Sequence, residues 1–125
     1  MKQLWLLLAL LTLAPAAARA QQHGILVACD TEAQIIDFTK ALGAGVEVEA
    51  ALAQVNAAAG DDTACGRADW IFIAGDDGVE FADATGLTWR TRQITVLGVM
   101  VPGRGQVATN PLAQWTAWHQ RSLGI

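Results

Sequence analysis

The chain has 125 residues, 53% of them apolar, which is room for one modest hydrophobic core and not for two domains. Its 12 acidic side chains against 8 basic ones give a formal charge of −4, which argues against nucleic acid and anionic membrane surfaces, because both select basic partners. Two histidines, two cysteines and a lone serine, Ser122, are a thin stock for nucleophilic catalysis, and no Gly-x-Ser-x-Gly elbow is present.

The first twenty residues read as an export signal. Lys2 gives a positive start, Leu4 to Leu13 is an apolar run, Pro15 breaks it, and Ala18-Arg19-Ala20 is an A-x-A cleavage motif. The run is shorter than the about 20 residues a helix needs to span a bilayer, and no twin-arginine pair precedes it. Cleavage after Ala20 would leave residues 21–125 as a single small domain, exported to the periplasm or secreted, with 6 basic and 12 acidic side chains and a formal charge of −6.

After a polar lead, Gln21 to Gly24, the apolar Ile25-Leu26-Val27-Ala28 predicts a buried first strand. Cys29 follows. In an oxidising compartment an even cysteine count predicts a Cys29–Cys65 disulfide. The bridge would close a loop of roughly 37 residues, worth roughly 4 kcal/mol by chain entropy. A rival reading takes Leu26-Val27-Ala28-Cys29 as a lipoprotein processing box with Cys29 acylated; polar Gln21 to His23 separate it from the apolar run, and Cys65 would lose its partner.

Thr31-x-x-Gln34 is a capping box, and Ile35, Phe38 and Leu42 recur at helical spacing up to Gly43, so a helix is expected from Thr31 to Leu42. A second, alanine-rich helix is expected from Val46 to Ala59, with Val48, Leu52 and Val55 on one stripe and Gly60 as its stop. Joined through Ala44-Gly45, the two predict an αα-hairpin. Trp70 to Ile73 then reads as a strand, Gly75-Asp76-Asp77-Gly78 as a turn and Val79 to Ala82 as the returning strand of a hairpin. Thr85-Gly86 turns again, Leu87 to Arg92 alternates at period two, and Ile94 to Val101 is apolar on both faces with Gly98 as a bulge. The tail reads two ways. Asn110-Pro111 followed by Leu112, Trp115 and Trp118 suits a capped helix, and Gln114 to Trp118 suits a last strand.

Cys29-Asp30-Thr31, Val55-Asn56, Thr63-Ala64-Cys65-Gly66 and Val96-Leu97-Gly98-Val99 together resemble a group of small exported bacterial proteins of unassigned function. The resemblance spans most of residues 21–125. It implies a stapled α+β domain with an extended tail, which favours the strand reading of Trp115 to Trp118, and it implies no activity. The expected fold is therefore α+β: a disulfide-stapled αα-hairpin packed on a small antiparallel sheet of four or five strands.

Three kinds of site are expected. Trp89, Arg90, Arg92, Trp115 and Trp118 would form an aromatic and cationic binding patch for a protein or glycan partner, since Trp and Arg dominate interface hot spots. The same residues would otherwise finish the core. A free Cys29 at a helix start would be a thiolate, and the pairs Asp61-Asp62, Asp76-Asp77 and Glu47/Glu49 would supply carboxylates for a small extracytoplasmic enzyme, although Gly-flanked turn acids are ordinarily solvated. Gln21-Gln22-His23 at a mature amino terminus would offer square-planar nitrogen ligation to copper(II), with His23 as the side-chain ligand. No cofactor motif occurs. The leading expectation is an exported, non-catalytic binding or interaction module.

Overall fold

The structure, a computed structural model, describes residues 19–119. The expected export signal falls outside the described residues except for Arg19 and Ala20, as do Ser122 and Gly124. The elements run β1 (Gln21–Cys29), α1 (Glu32–Gly43), α2 (Val48–Ala59), β2 (Cys65–Ala82), β3 (Thr88–Val101) and β4 (Gly105–His119). This is a small α+β domain with four antiparallel strands and a Cys29–Cys65 disulfide. The sheet curls until it closes in the order β1-β2-β3-β4, and β1 meets β4 at one residue pair, Cys29 with Trp115.

Local chemistry accounts for the helices. Thr31 Oγ1 accepts from the Gln34 amide at 3.2 Å, and Gln34 Oε1 accepts from the Thr31 amide at 3.0 Å, so two of the donors orphaned at the start of α1 are satisfied reciprocally. α2 starts two residues later than the expected Val46, at Val48, the first residue of its apolar stripe. Its N-cap is Glu47, which makes no side-chain capping bond. It ends on Gly60 at φ 66°, a left-handed conformation that costs a β-carbon-free residue nothing.

Strand bounds depart further from the expectation. Gly75-Asp76-Asp77-Gly78 is not a turn: β2 runs unbroken through it, from Cys65 to Ala82. The extra residues are absorbed as two irregularities against β3, between Ala74 and Asp77 and between Asp77 and Glu80. Gly75 is needed there because a β-carbon would run into the Gln93 backbone carbonyl. The turn lies at Asp83 to Leu87, where the Asp83 amide donates to the Leu87 carbonyl at 3.0 Å. Leu87 closes the turn, and Thr88 to Arg92 and Ile94 to Val101 are likewise one strand, so the sheet has four strands. Gly98 does sit at an irregularity, and the tail is a strand. Gln21 to Gly24 belong to β1, paired with Ile73 to Trp70.

The two faces of the sheet carry separate cores. On the helix face, Ile35 and Phe38 of α1 and Ala51, Leu52 and Val55 of α2 pack on Cys29 and Cys65, with Trp115 and Ala117 of β4 against them. Each fully buried aliphatic or aromatic side chain there contributes about 1.5–3 kcal/mol. The inner face, enclosed by the closing sheet, has a smaller core of Ala28, Ile94 and Val96, flanked by Leu26, Trp70 and Phe72. Asn56 locks the helical layer to the staple. Its Oδ1 accepts from the Cys65 amide at 2.8 Å and its Nδ2 donates to the Cys65 carbonyl at 3.1 Å. Three of the four short segments that carry the sequence resemblance thus meet at the disulfide.

Candidate binding site

The five residues of the expected patch do not share a face. Strand pairing sets Trp89 opposite His119 and Gln93 opposite Trp115, while Arg90 stands opposite Trp118 and Arg92 opposite Thr116. Side chains alternate along a strand, so Trp89 and Trp115 point one way and Arg90, Arg92 and Trp118 the other. Trp115 packs on the helix-face core. Trp89 donates its indole N–H to Asp83 Oδ2 at 3.0 Å and meets the His119 ring edge-on at 4.9 Å. On the inner side, Arg92 binds Asp77 at 2.8 Å and lies 5.2 Å from the Trp118 ring centroid, and Arg90 binds Glu80 at 3.2 Å. Both guanidinium groups therefore have carboxylate partners.

The other expected sites fare differently. Cys29 is fully buried and its sulfur is bonded to Cys65, so neither a free thiolate nor an acylated cysteine is compatible with this fold. His23 Nδ1 lies 3.1 Å from Asp69 Oδ1, and Gln21 to His23 are paired with β2, so copper ligation through their backbone amides would need this end of β1 to leave the sheet. The carboxylate doublets do local work. Asp61 accepts from the Thr63 amide and hydroxyl at 2.9 and 2.8 Å, which holds its carboxyl below the usual range. Asp76 and Asp77 pair with Arg19 and Arg92. Among the described residues, no three His, Cys, Asp or Glu side chains gather as a metal site would require, and no helix is long and apolar enough to cross a membrane.

What the fold does build is a cavity of about 420 Å³ at one mouth of the curled sheet. Its apolar walls are Ala28, Trp70, Val96 and Leu112. These come from all four strands. Asp30, Asp62, Arg67 and Gln114 set the polar rim. Gln114, itself buried, donates to Asp30 Oδ1 at 2.9 Å, which orients the Asp30 carboxylate at the rim. The Trp70 indole N–H is buried and has no hydrogen-bond partner among the described residues. Buried indole donors are ordinarily satisfied, so this one marks an incomplete arrangement. The cavity exists because β1 stops short. Asp30-Thr31 turn the chain into α1, and β4 continues past the end of β1 on the other side of the opening.

A larger depression of about 750 Å³, shallower than the cavity, lies between Ile25, Glu49, Arg67 and the β3–β4 turn at Pro102 and Gly103. Among the described residues it contains no unpartnered buried polar group. The cavity is accordingly the candidate site. Sequence reasoning missed all of it. Trp70 stands in an apolar run that signals a buried strand, and the one available hint was an indole in a core that has few polar partners to offer.

No protein-family profile, curated protein or solved structure matches the chain.

Proposed function

We propose that this chain is an exported, non-catalytic binding module that takes its ligand at the inner-face mouth walled by Trp70, Val96 and Leu112. One observation carries the reading: a cavity of about 420 Å³ with apolar walls and a polar rim, beside a buried indole donor that has no partner among the described residues. Few convergent polar groups on an apolar pocket are the usual composition of a ligand site. Export is supported by the leader-like first twenty residues and by the disulfide, which persists in oxidising compartments. The sequence resemblance to small exported bacterial proteins points the same way. We read the two helices as an antiparallel hairpin whose role is to brace the stapled edge, beside which the mouth opens, with Cys65 among its lining residues. A catalytic reading has less support, since Asp61 is engaged by local donors and Asp77 by Arg92.

The test is a fragment library screened by two-dimensional amide and indole proton NMR. Binders should shift the Trp70 indole resonance together with Leu112 and Gln114. Shifts confined to Trp89, Arg90 and His119, or hits that move none of these, would remove the site.

A further inference from the structure

We infer that the ligand of this mouth is an extended polypeptide segment that adds to the free edge of β4, antiparallel to it, and seats one apolar side chain in the cavity; this rests on the binding-module reading above. The first ground is the edge itself. β4 is paired with β1 only at Trp115, so among the described residues Gly105 to Ala113 have β3 on one side and no strand on the other. All nine of these residues are exposed. An unpaired row of backbone N–H and C=O groups is a template for another strand.

The second ground is charge. Proteins ordinarily protect such edges with charged side chains. Here every Asp, Glu, Lys and Arg within the strands lies on β2 and β3, the central pair, and β1 and β4 carry none. Pro111 removes one donor, and it falls in the irregular stretch between Ala108 and Leu112, so the backbone on either side of it stays available. The edge is left open where protection would be cheapest.

The third ground is alignment. A strand added antiparallel to β4 below Trp115 would continue the line that β1 abandons at Cys29. Its alternate side chains would then face inward, as Leu26 and Ala28 do, and the cavity lies beside Leu112 on that same face. Strand addition draws affinity from the main chain and specificity from pockets for alternate side chains, and this mouth offers both. Asp30 and Asp62 at the rim outnumber Arg67, which favours a segment with a basic residue next to its apolar anchor. A second copy of the chain fits less well, because it would bring its own net negative charge to that acidic rim.

The experiment uses the disulfide-bonded protein and a displayed library of random nonapeptides. Selected peptides should carry an apolar anchor beside Lys or Arg and should perturb amides along Gly105 to Ala113. Methylating alternate amides of a selected peptide should weaken binding about tenfold or more in one alternate set and little in the other, because only one set faces β4. Leu112→Glu should cost at least about tenfold, and since Leu112 is 55% exposed the variant keeps its fold, as circular dichroism would verify. Binding that ignores amide methylation overturns strand addition. Concentration-dependent protection of the β4 amides without peptide overturns it in favour of a second copy. Fragments or sugars that shift the Trp70 indole while no peptide is selected overturn the peptide ligand and leave the binding-module reading standing.

Discussion

The two faces of this sheet are built to different standards. On the helix face, hydrogen bonding is closed around a packed centre. Thr91, fully buried, accepts from the Val79 amide at 2.9 Å and donates to Glu32 Oε2 at 2.7 Å, tying β3 to both β2 and α1. Gly78 makes room for this junction, where any β-carbon would collide with the Thr91 hydroxyl and the Glu32 carboxylate. The disulfide and the Asn56 clamp complete the layer. On the inner face, two indole donors, Trp70 and Trp118, are buried without partners among the described residues, a cavity remains, and one bounding strand has no neighbour along much of its edge among those residues. Incomplete satisfaction costs about 1–3 kcal/mol for each buried donor left unpaired. A small domain keeps such a face only if the other supplies its stability, so on the proposed binding-module reading stability and recognition are divided between two sides of one sheet.

The comparison breaks first at the staple. Replacing both cysteines with alanine should lower stability by about 2–5 kcal/mol, read as a shift in the urea midpoint. In native conditions the Trp70 indole resonance should hold its position. Phe38→Ala, at the centre of the helix-face core, should cost about 3–5 kcal/mol by the same measurement. If the inner-face truncation Val96→Ala destabilised more than Phe38→Ala, the division of labour would be wrong.

A second, smaller contrast uses two tryptophans. Trp89 donates to Asp83, whereas Trp70 has no acceptor among the described residues. Trp89→Phe should therefore lower the urea midpoint, since it removes a bond to a charged acceptor. Trp70→Phe should change stability by less than about 1 kcal/mol, since relief of an unsatisfied donor offsets the packing lost with the indole's second ring. Equal losses would mean that the Trp70 N–H finds a partner, and the strongest mark of the site would be gone.

How far the sequence anticipates these features depends on their range. The Thr31-x-x-Gln34 box declares α1 because capping is a contact between residues three apart. The Cys29–Cys65 bridge follows from cysteine parity and the expected compartment, and the alternation of Thr88 to Arg92 is that of β3. Gly75 to Gly78 misleads because its composition is that of a turn, while the backbone is held extended by a partner strand some eighteen residues away, Gln93 against Gly75. The polar Gln21 to Gly24 is a strand for the same nonlocal reason: Trp70 to Ile73 need a neighbour. The expected patch failed to gather because period-two alternation separates Trp89 from Arg90 as surely as it unites Arg90 with Arg92. The cavity was least legible of all. It depends on where β1 stops relative to β4, which is a matter of register around the whole sheet.

The smallest expected effect lies at the β2–β3 turn. Asp83 accepts from the Thr85 hydroxyl at 2.6 Å, the Trp89 indole at 3.0 Å, and the Thr85 and Leu87 amides, and these donors hold its carboxyl down at about 2, below the ordinary 3.8. A carboxylate whose folded value is depressed stabilises the fold fully above its unfolded value and loses that contribution as pH falls through the folded one. Asp83 should thus favour folding at pH 4 and above and cease to do so toward pH 2. Asp83→Asn removes the titration. The urea midpoint of the parent protein should exceed that of the variant by a constant margin above about pH 4, and the margin should shrink between about pH 4 and pH 2. Parallel curves across that window would show that the carboxylate gains nothing from its donors. Because Asp83 serves Trp89 and packs against Gly43 at the end of α1, the change belongs to the helix face. Peptide affinity at the inner mouth, measured at neutral pH, should be the same for both proteins, and a loss there would mean that the two faces are coupled through β3.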